Sequence, residues 1–186
     1  MTAERTRLVT PLSAEQARAL RAGTRLLLSG PALVARDAAH RRMVEWLAAG
    51  RDLPFDVAGQ LIYYAGPTPA RPGKPVGSMG PTTSGRMDRY VAPLLEAGLR
   101  GMIGKGERSA EVRELLVKHG AVYLAATGGA GALLGERISS SATIAWPELG
   151  PEAVLRITFD NFPVLVACDA VGGDLYRNGQ EAWRRS

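Results

Sequence analysis

Residues 101–125 read GMIGKGERSAEVRELLVKHGAVYLA and carry the pattern that decides the fold. Gly101 to Ile103 is a short apolar strand, Gly104-Lys105-Gly106 a loop, Ser109 the opening of a helix that stops near Gly120, and Val122 to Ala125 a second strand. The same alternation recurs on the N-terminal side. Ser13-Ala14-Glu15-Gln16 is a capping box opening a helix that ends near Gly23, and an apolar strand follows from Arg25 to Ser29. A helix over Arg36 to Ala49 stops at Gly50, and a strand covers Gln60 to Ala65. A further helix over Ser84 to Ala97, kinked or shortened by Pro93, closes at Gly98. On the C-terminal side Thr127 to Gly131 is a Gly-rich turn. Thr143 to Trp146, Val154 to Phe159 and Val164 to Asp169 are β-rich, ahead of a polar tail. Helices alternating with strands in the middle, and strands dominating the end, predict a layered α/β domain with a mixed sheet.

The 186 residues, 46% of them hydrophobic, suit one compact domain that buries roughly 70% of its unfolded surface. Neither an internal repeat nor an interdomain linker is visible; the Gly- and Pro-dense stretch from Gly66 to Pro81 reads as a loop that positions ligand contacts beside a strand end. The net charge of +5, from 23 basic and 18 acidic side chains, suits anionic ligands without specifying one. Arg5, Arg7, Arg184 and Arg185 read as solvated ends. Despite an isoelectric point near 9.8, the other arginines fall in separated loops rather than in a basic stripe interleaved with aromatics, which argues against nucleic acid. Cys168 is the sole cysteine, so an intramolecular disulfide, a multi-cysteine zinc site and a four-cysteine cluster are all excluded for this chain, and Cys168 itself reads as an inert buried thiol. The first ten residues carry no signal-peptide core, and no apolar stretch is long enough to span a membrane, so a cytoplasmic location is expected.

Three places are candidates for chemistry. In Gly80-Pro81-Thr82-Thr83-Ser84-Gly85-Arg86-Met87-Asp88 a Pro-fixed turn presents hydroxyls at a helix start, where free N–H groups favour anions, with Arg86 one turn on. The alternative is an N-cap beside a solvated arginine, with Asp88 a first-turn charge complementing the helix dipole. Arg36-Asp37-Ala38-Ala39-His40 sets a cation, a carboxylate and an imidazole on the first turns of a helix, with Arg36 and His40 neighbours at i,i+4; a surface helix start with a structural histidine is the other reading. Lys105 lies between glycines directly after a strand, where open sheets gather ligand contacts. Thr127-Gly128-Gly129-Ala130-Gly131 lacks the Lys-Ser/Thr ending of a phosphate loop and reads as a tight turn, and His119 reads as a dipole partner at a helix end.

Together these segments resemble the C-terminal domain of class I fumarases and the β subunits of related dehydratases, from about Leu12 to Tyr176. The resemblance rests on Ala35 to His40, Gly66-Pro67-Thr68-Pro69, Gly80 to Asp88, Gly104-Lys105-Gly106, Pro147-Glu148-Leu149-Gly150 and Asp160-Asn161-Phe162-Pro163. It implies a swivelling, three-layer β/β/α domain and reversible hydration of fumarate to malate. The 4Fe-4S cluster would be carried by an α subunit, with no metal bound by this chain, and a heterotetramer is expected. It further implies Arg36, Arg86 and Lys105 as binders of the dicarboxylate substrate and Thr82 as the base; Asp37, His40 and Asp88, in the same motifs, are candidate supporting groups. Tartrate or mesaconate dehydratase β subunits share the motifs, and a non-catalytic anion-binding module is the alternative of another class.

Overall fold

The structure is a computed structural model and describes residues 5–184, so Arg185 lies outside the described residues. Seven strands form one mixed sheet in the order β1-β2-β3-β4-β5-β7-β6. The strands β1 (Thr6–Val9), β2 (Arg25–Val34), β3 (Leu61–Tyr63), β4 (Gly101–Gly104) and β5 (Val122–Ala125) run parallel to their neighbours. β6 (Ile138–Ala145) and β7 (Val154–Cys168) run antiparallel. β7 also pairs with β2, from Arg25↔Leu165 to Val34↔Leu155, so β2, β3, β4, β5 and β7 curl the sheet partly closed.

Period-two alternation on the inner strands explains where the core sits. Leu61, Tyr63, Ile103, Val122 and Leu124 point to one side, into a cluster with Phe159 and Phe162. Ile62, Tyr64, Met102 and Tyr123 point to the other, against the helices α2 (Asp37–Ala48), α3 (Val91–Glu96) and α4 (Ala110–His119). Strands with both faces covered need continuous apolar runs, as 61–65 and 121–126 supply.

The local signals in the sequence hold closely. α1 (Ala14–Ala19) begins with the reciprocal Ser13–Gln16 capping box, and α4 is capped by the Ser109 hydroxyl and stopped by Gly120 in the left-handed region at φ 63°. Several expectations change. β1 is not foreseen from the sequence, β2 runs on to Val34 rather than stopping at Ser29, and the strand expected over Thr143 to Trp146 begins at Ile138 and ends at Ala145. The helix over Ser84 to Ala97 is a 3-10 segment, Ser84–Tyr90, continued by α3; Pro93 is the third residue of α3, where its missing N–H has no helical acceptor to lose. The two strands foreseen around Asp160 to Pro163 are one, because Asn161 takes φ 49° opposite the irregularity at Leu28/Gly30 and its N–H is accepted by Ser29 Oγ, leaving Phe162 buried. The short helix α5 (Gly131–Gly135) follows the Gly-rich turn, and the polar tail holds α6 (Leu175–Trp183), whose first N–H groups are accepted by Asp174. Arg5, Arg7 and Arg184 are exposed. Among the described residues no helix is long and apolar enough to cross a membrane.

Candidate active site

The candidate residues converge because β2 to β5 are parallel, so the segments leaving their carboxyl ends meet at one edge of the sheet. Arg36 leaves β2, the Gly66 to Pro81 loop leaves β3, Lys105 follows β4, and Thr127 to Gly131 follows β5. Backbone bonds fasten them. Thr82 N–H donates to Tyr64 O at 2.7 Å, Lys105 N–H to Thr82 O at 3.1 Å, and Ser84 N–H to Lys105 O at 2.9 Å. Residues 82–84 thus lie as a short extra rung between the extensions of β3 and β4, which places Thr82 next to Lys105. Gly104 is required there, since a Cβ on it would collide with Ser84 Oγ. The turn after β5 closes the group: Met79 N–H donates to Gly131 O at 2.8 Å, and a Cβ on Gly128 would meet Lys105 Cδ at 3.4 Å.

The cations differ in how they are held. Arg86 is gripped as a fork by Asp37, with Nε to Oδ1 at 3.0 Å and Nη2 to Oδ2 at 3.2 Å. Burial of Asp37 works against its charge, but the hydrogen bond and the charge of Arg86 outweigh it and hold the carboxyl below its ordinary pKa. Arg86 is therefore not a free surface arginine. Arg36 enters from the other side, where the absence of a side chain on Gly66 leaves room; a Cβ there would lie 2.6 Å from Nη1. Its Nη2 is 4.0 Å from Glu152 Oε1, and its buried Nε has no partner. Glu152 Oε2 also accepts Ala38 N–H at 2.7 Å, at the start of α2. Lys105 is exposed and forms no ion pair among the described residues.

Thr82 is half-buried, and its hydroxyl donates to Tyr64 O at 3.0 Å, which leaves its lone pairs as the free valence. The helix-capping alternative does not apply, because the residue before the 3-10 segment is Thr83 and no side chain caps it. Asp88 also departs from expectation. It lies inside the 3-10 segment, and its carboxylate serves another helix, accepting Ser109 N–H at 2.8 Å at the start of α4 and Arg108 Nε at 2.7 Å.

His40 lies beneath the site. It is fully buried, with Nδ1 2.8 Å from Arg36 O. A carbonyl can only accept, so the neutral ring carries its proton on Nδ1, and Nε2 is left without a partner against Tyr64. Burial lowers its pKa from 6.5 to about 4. His119 ends α4 and offers its carbonyl to Arg100 Nη1 at 2.8 Å. Two residues escaped the sequence reading, Arg108 and Glu152. Arg108 stands three residues after Lys105 and Glu152 two after the Pro147 to Gly150 motif, but burial and partners 20 and 114 residues away leave no local signal.

An iron-sulfur cluster needs thiolates. Cys168 is buried on the helix-covered face, its thiol pushed up to about 12 by burial, and among the described residues no group of three or more His, Cys, Asp or Glu is arranged to hold a metal ion. This chain's own residues do not fit such a cluster. What the edge offers is three cationic side chains on neighbouring segments, the Thr82 hydroxyl, and backbone fixed by hydrogen bonds.

The profile of the family described as "Fumarase C-terminus" matches residues 1–179. The anaerobic class I fumarate hydratase of Escherichia coli K12 is 43% identical over 157 residues, which cover 83% of this chain and 28% of that protein. Fumarate hydratase 2 of Leishmania major is 42% identical over 156 residues, covering 83% of this chain and again 28% of the relative. A Methanocaldococcus jannaschii protein bearing the name L(+)-tartrate dehydratase subunit beta is 34% identical over 171 residues, 89% of this chain and 88% of its own length. The chain thus spans under a third of the fumarate hydratases it matches but nearly all of the separate dehydratase subunit. On the family match and on the full-length likeness to that subunit, the chain belongs to the fumarase C-terminus family.

Proposed function

We propose that this chain is the β subunit of a two-subunit class I fumarate hydratase, catalysing reversible hydration of fumarate to malate with an α subunit, as a cytoplasmic heterotetramer. The observation that supports the reading is the rung at residues 82–84, which hydrogen-bonds the backbone of Thr82 to that of Lys105 at the edge to which the segments of Arg36 and Arg86 also come. The partly closed sheet backed by helices is compatible with the swivelling three-layer β/β/α arrangement that this reading includes.

Removing a proton beside a carboxylate adds a second negative charge to that group, so fixed cations around it stabilise the transition state. Arg36 and Arg86 hold the two carboxylates, and Asp37 keeps the Arg86 fork oriented before substrate arrives. Lys105, the compact charge without an ion-pair partner among the described residues, faces the carboxylate whose charge grows. Thr82 acts as the base in its deprotonated form, after its hydroxyl proton has been released to solvent, and a neighbouring ammonium stabilises that alkoxide. Taking the substrate's proton returns it to the neutral hydroxyl that donates to Tyr64 O. A 4Fe-4S cluster held by the α subunit would supply Lewis-acid chemistry.

The test is co-expression with the α subunit and anaerobic purification. The complex should contain iron and hydrate fumarate, whereas the isolated chain should be colourless and inactive. Fumarase-like turnover by the iron-free chain alone overturns the proposal. The full-length likeness to a tartrate dehydratase β subunit favours a second reading, in which tartrate is the substrate. Assaying the same complex with fumarate, tartrate and mesaconate separates them, and an iron-containing complex inert to all three leaves an anion-binding module.

A further inference from the structure

Arg108 is a buried cation whose contacts join the two loops of the site. Its side chain is 0% exposed. Nε donates to Asp88 Oδ1 at 2.7 Å, and Nη2 is buried without a partner among the described residues. The guanidinium carbon lies 5.5 Å from the centroid of the Tyr64 ring and 4.9 Å from that of Tyr123. Each tyrosine holds one loop. Tyr64 O accepts both the N–H and the hydroxyl of Thr82. The Tyr123 hydroxyl donates to Gly106 O at 2.8 Å, so the 2.9 Å contact with Ser84 Oγ has serine as donor. Asp88 completes the frame, since its second oxygen accepts Ser109 N–H from the segment that follows Lys105.

A buried ion pair is often matched or bettered by apolar side chains of the same volume, so stability alone does not account for a guanidinium in this place. Geometry does. The Nε–H binds a carboxylate from the segment of Thr82 and Arg86, while the guanidinium lies against the ring of Tyr64, whose backbone carbonyl holds Thr82, and the ring of Tyr123, whose hydroxyl joins Ser84 and Gly106.

We propose that Arg108 is a positioning residue: through Asp88, Tyr64 and Tyr123 it sets the register between the Thr82 hydroxyl and the Lys105 ammonium without touching substrate. The inference rests on the reading of Thr82 and Lys105 as residues of the proposed active site. In the assembled two-subunit enzyme, Arg108→Lys keeps the charge and loses the planar guanidinium that lies against both rings. Displacing a catalytic group by about 1 Å costs up to about 10²-fold in rate, so kcat should fall by about 10-fold or more, with a smaller change in KM. In a Lys105→Ala background the effect of Arg108→Lys should shrink to about 2-fold or less, because residues acting as one unit are non-additive. An arginine that only stabilises the fold would lower the melting temperature, leave kcat per folded complex unchanged and add independently to Lys105→Ala. Tyr123→Phe keeps the ring under the guanidinium and removes the hydroxyl between Ser84 and Gly106; it should reproduce the kcat loss at near-native melting temperature, and it decides the matter if Arg108→Lys does not assemble. Native kcat in the assembled variant, or additivity in the cycle, overturns the inference. Native kcat in both Thr82→Ala and Lys105→Ala overturns the site reading itself and this inference with it.

Discussion

Acidification should weaken this chain through one buried imidazole, and the size of the effect follows from its surroundings. His40 is fully buried, gives its Nδ1 proton to Arg36 O, and has its pKa lowered from 6.5 to about 4. Between those values the unfolded chain binds a proton that the native chain refuses, so stability falls as pH falls. The contribution is fully present above about pH 6.5. At about 1.36 kcal/mol per pH unit, roughly 3 kcal/mol is lost by pH 4, a large fraction of a typical domain's total of about 5–15 kcal/mol. Asp37 acts in a different window: its lowered pKa contributes stability above the ordinary value of 3.8, lost only as pH falls below that. The perturbation is His40→Asn, whose amide N–H reproduces the donor to Arg36 O without titrating. The assay is urea unfolding followed by circular dichroism between pH 7.5 and 4.5. The variant should be less stable at neutral pH by about 1–3 kcal/mol for the lost ring contacts, but the native chain should lose about 2.5 kcal/mol more than the variant across that range. Curves that run parallel to within about 0.5 kcal/mol would refute the assignment of this window to His40.

Three further outcomes are expected. Arg86→Lys preserves charge but not the fork held by Asp37, and kcat/KM of the assembled enzyme should fall on the order of 10²-fold; native kinetics would return Arg86 to the surface. Thr82→Ala forfeits a hydrogen bond to Tyr64 O worth about 1 kcal/mol and should abolish most of kcat, whereas Thr82→Ser should retain part of it; melting temperature and kcat measured on the same preparations separate chemistry from stability, and a normal kcat for the alanine variant removes Thr82 from the mechanism. Gly104→Ala drives a Cβ into Ser84 Oγ and should cost about 1–3 kcal/mol in a urea titration of the isolated chain, a native midpoint showing that the rung can yield.

Much of the fold is local, and the sequence alone determined it. The capping box at Ser13, the Ser109 cap with its Gly120 stop, and the apolar runs at 61–65 and 121–125 place their elements within a few residues, because caps and side-chain periodicity depend on near neighbours. Thr82, Arg86 and Lys105 stood out in loops that glycine, proline and hydroxyls mark beside strand ends, and Arg36 at the charged start of a helix, while the roles expected of them came from the family resemblance. Tertiary structure decided what those residues meet. The fork between Asp37 and Arg86 spans 49 residues and the contact of Glu152 with α2 spans 114, and neither follows from spacing along the chain. The strand β7 is continuous because β2 pairs along most of it, which overrides an Asn161-Phe162-Pro163 sequence that reads locally as a break. Burial is likewise collective: Arg108 and His40 look like surface residues in a string of letters, and they are interior because helices from distant parts of the chain close over the face of the sheet on which they lie.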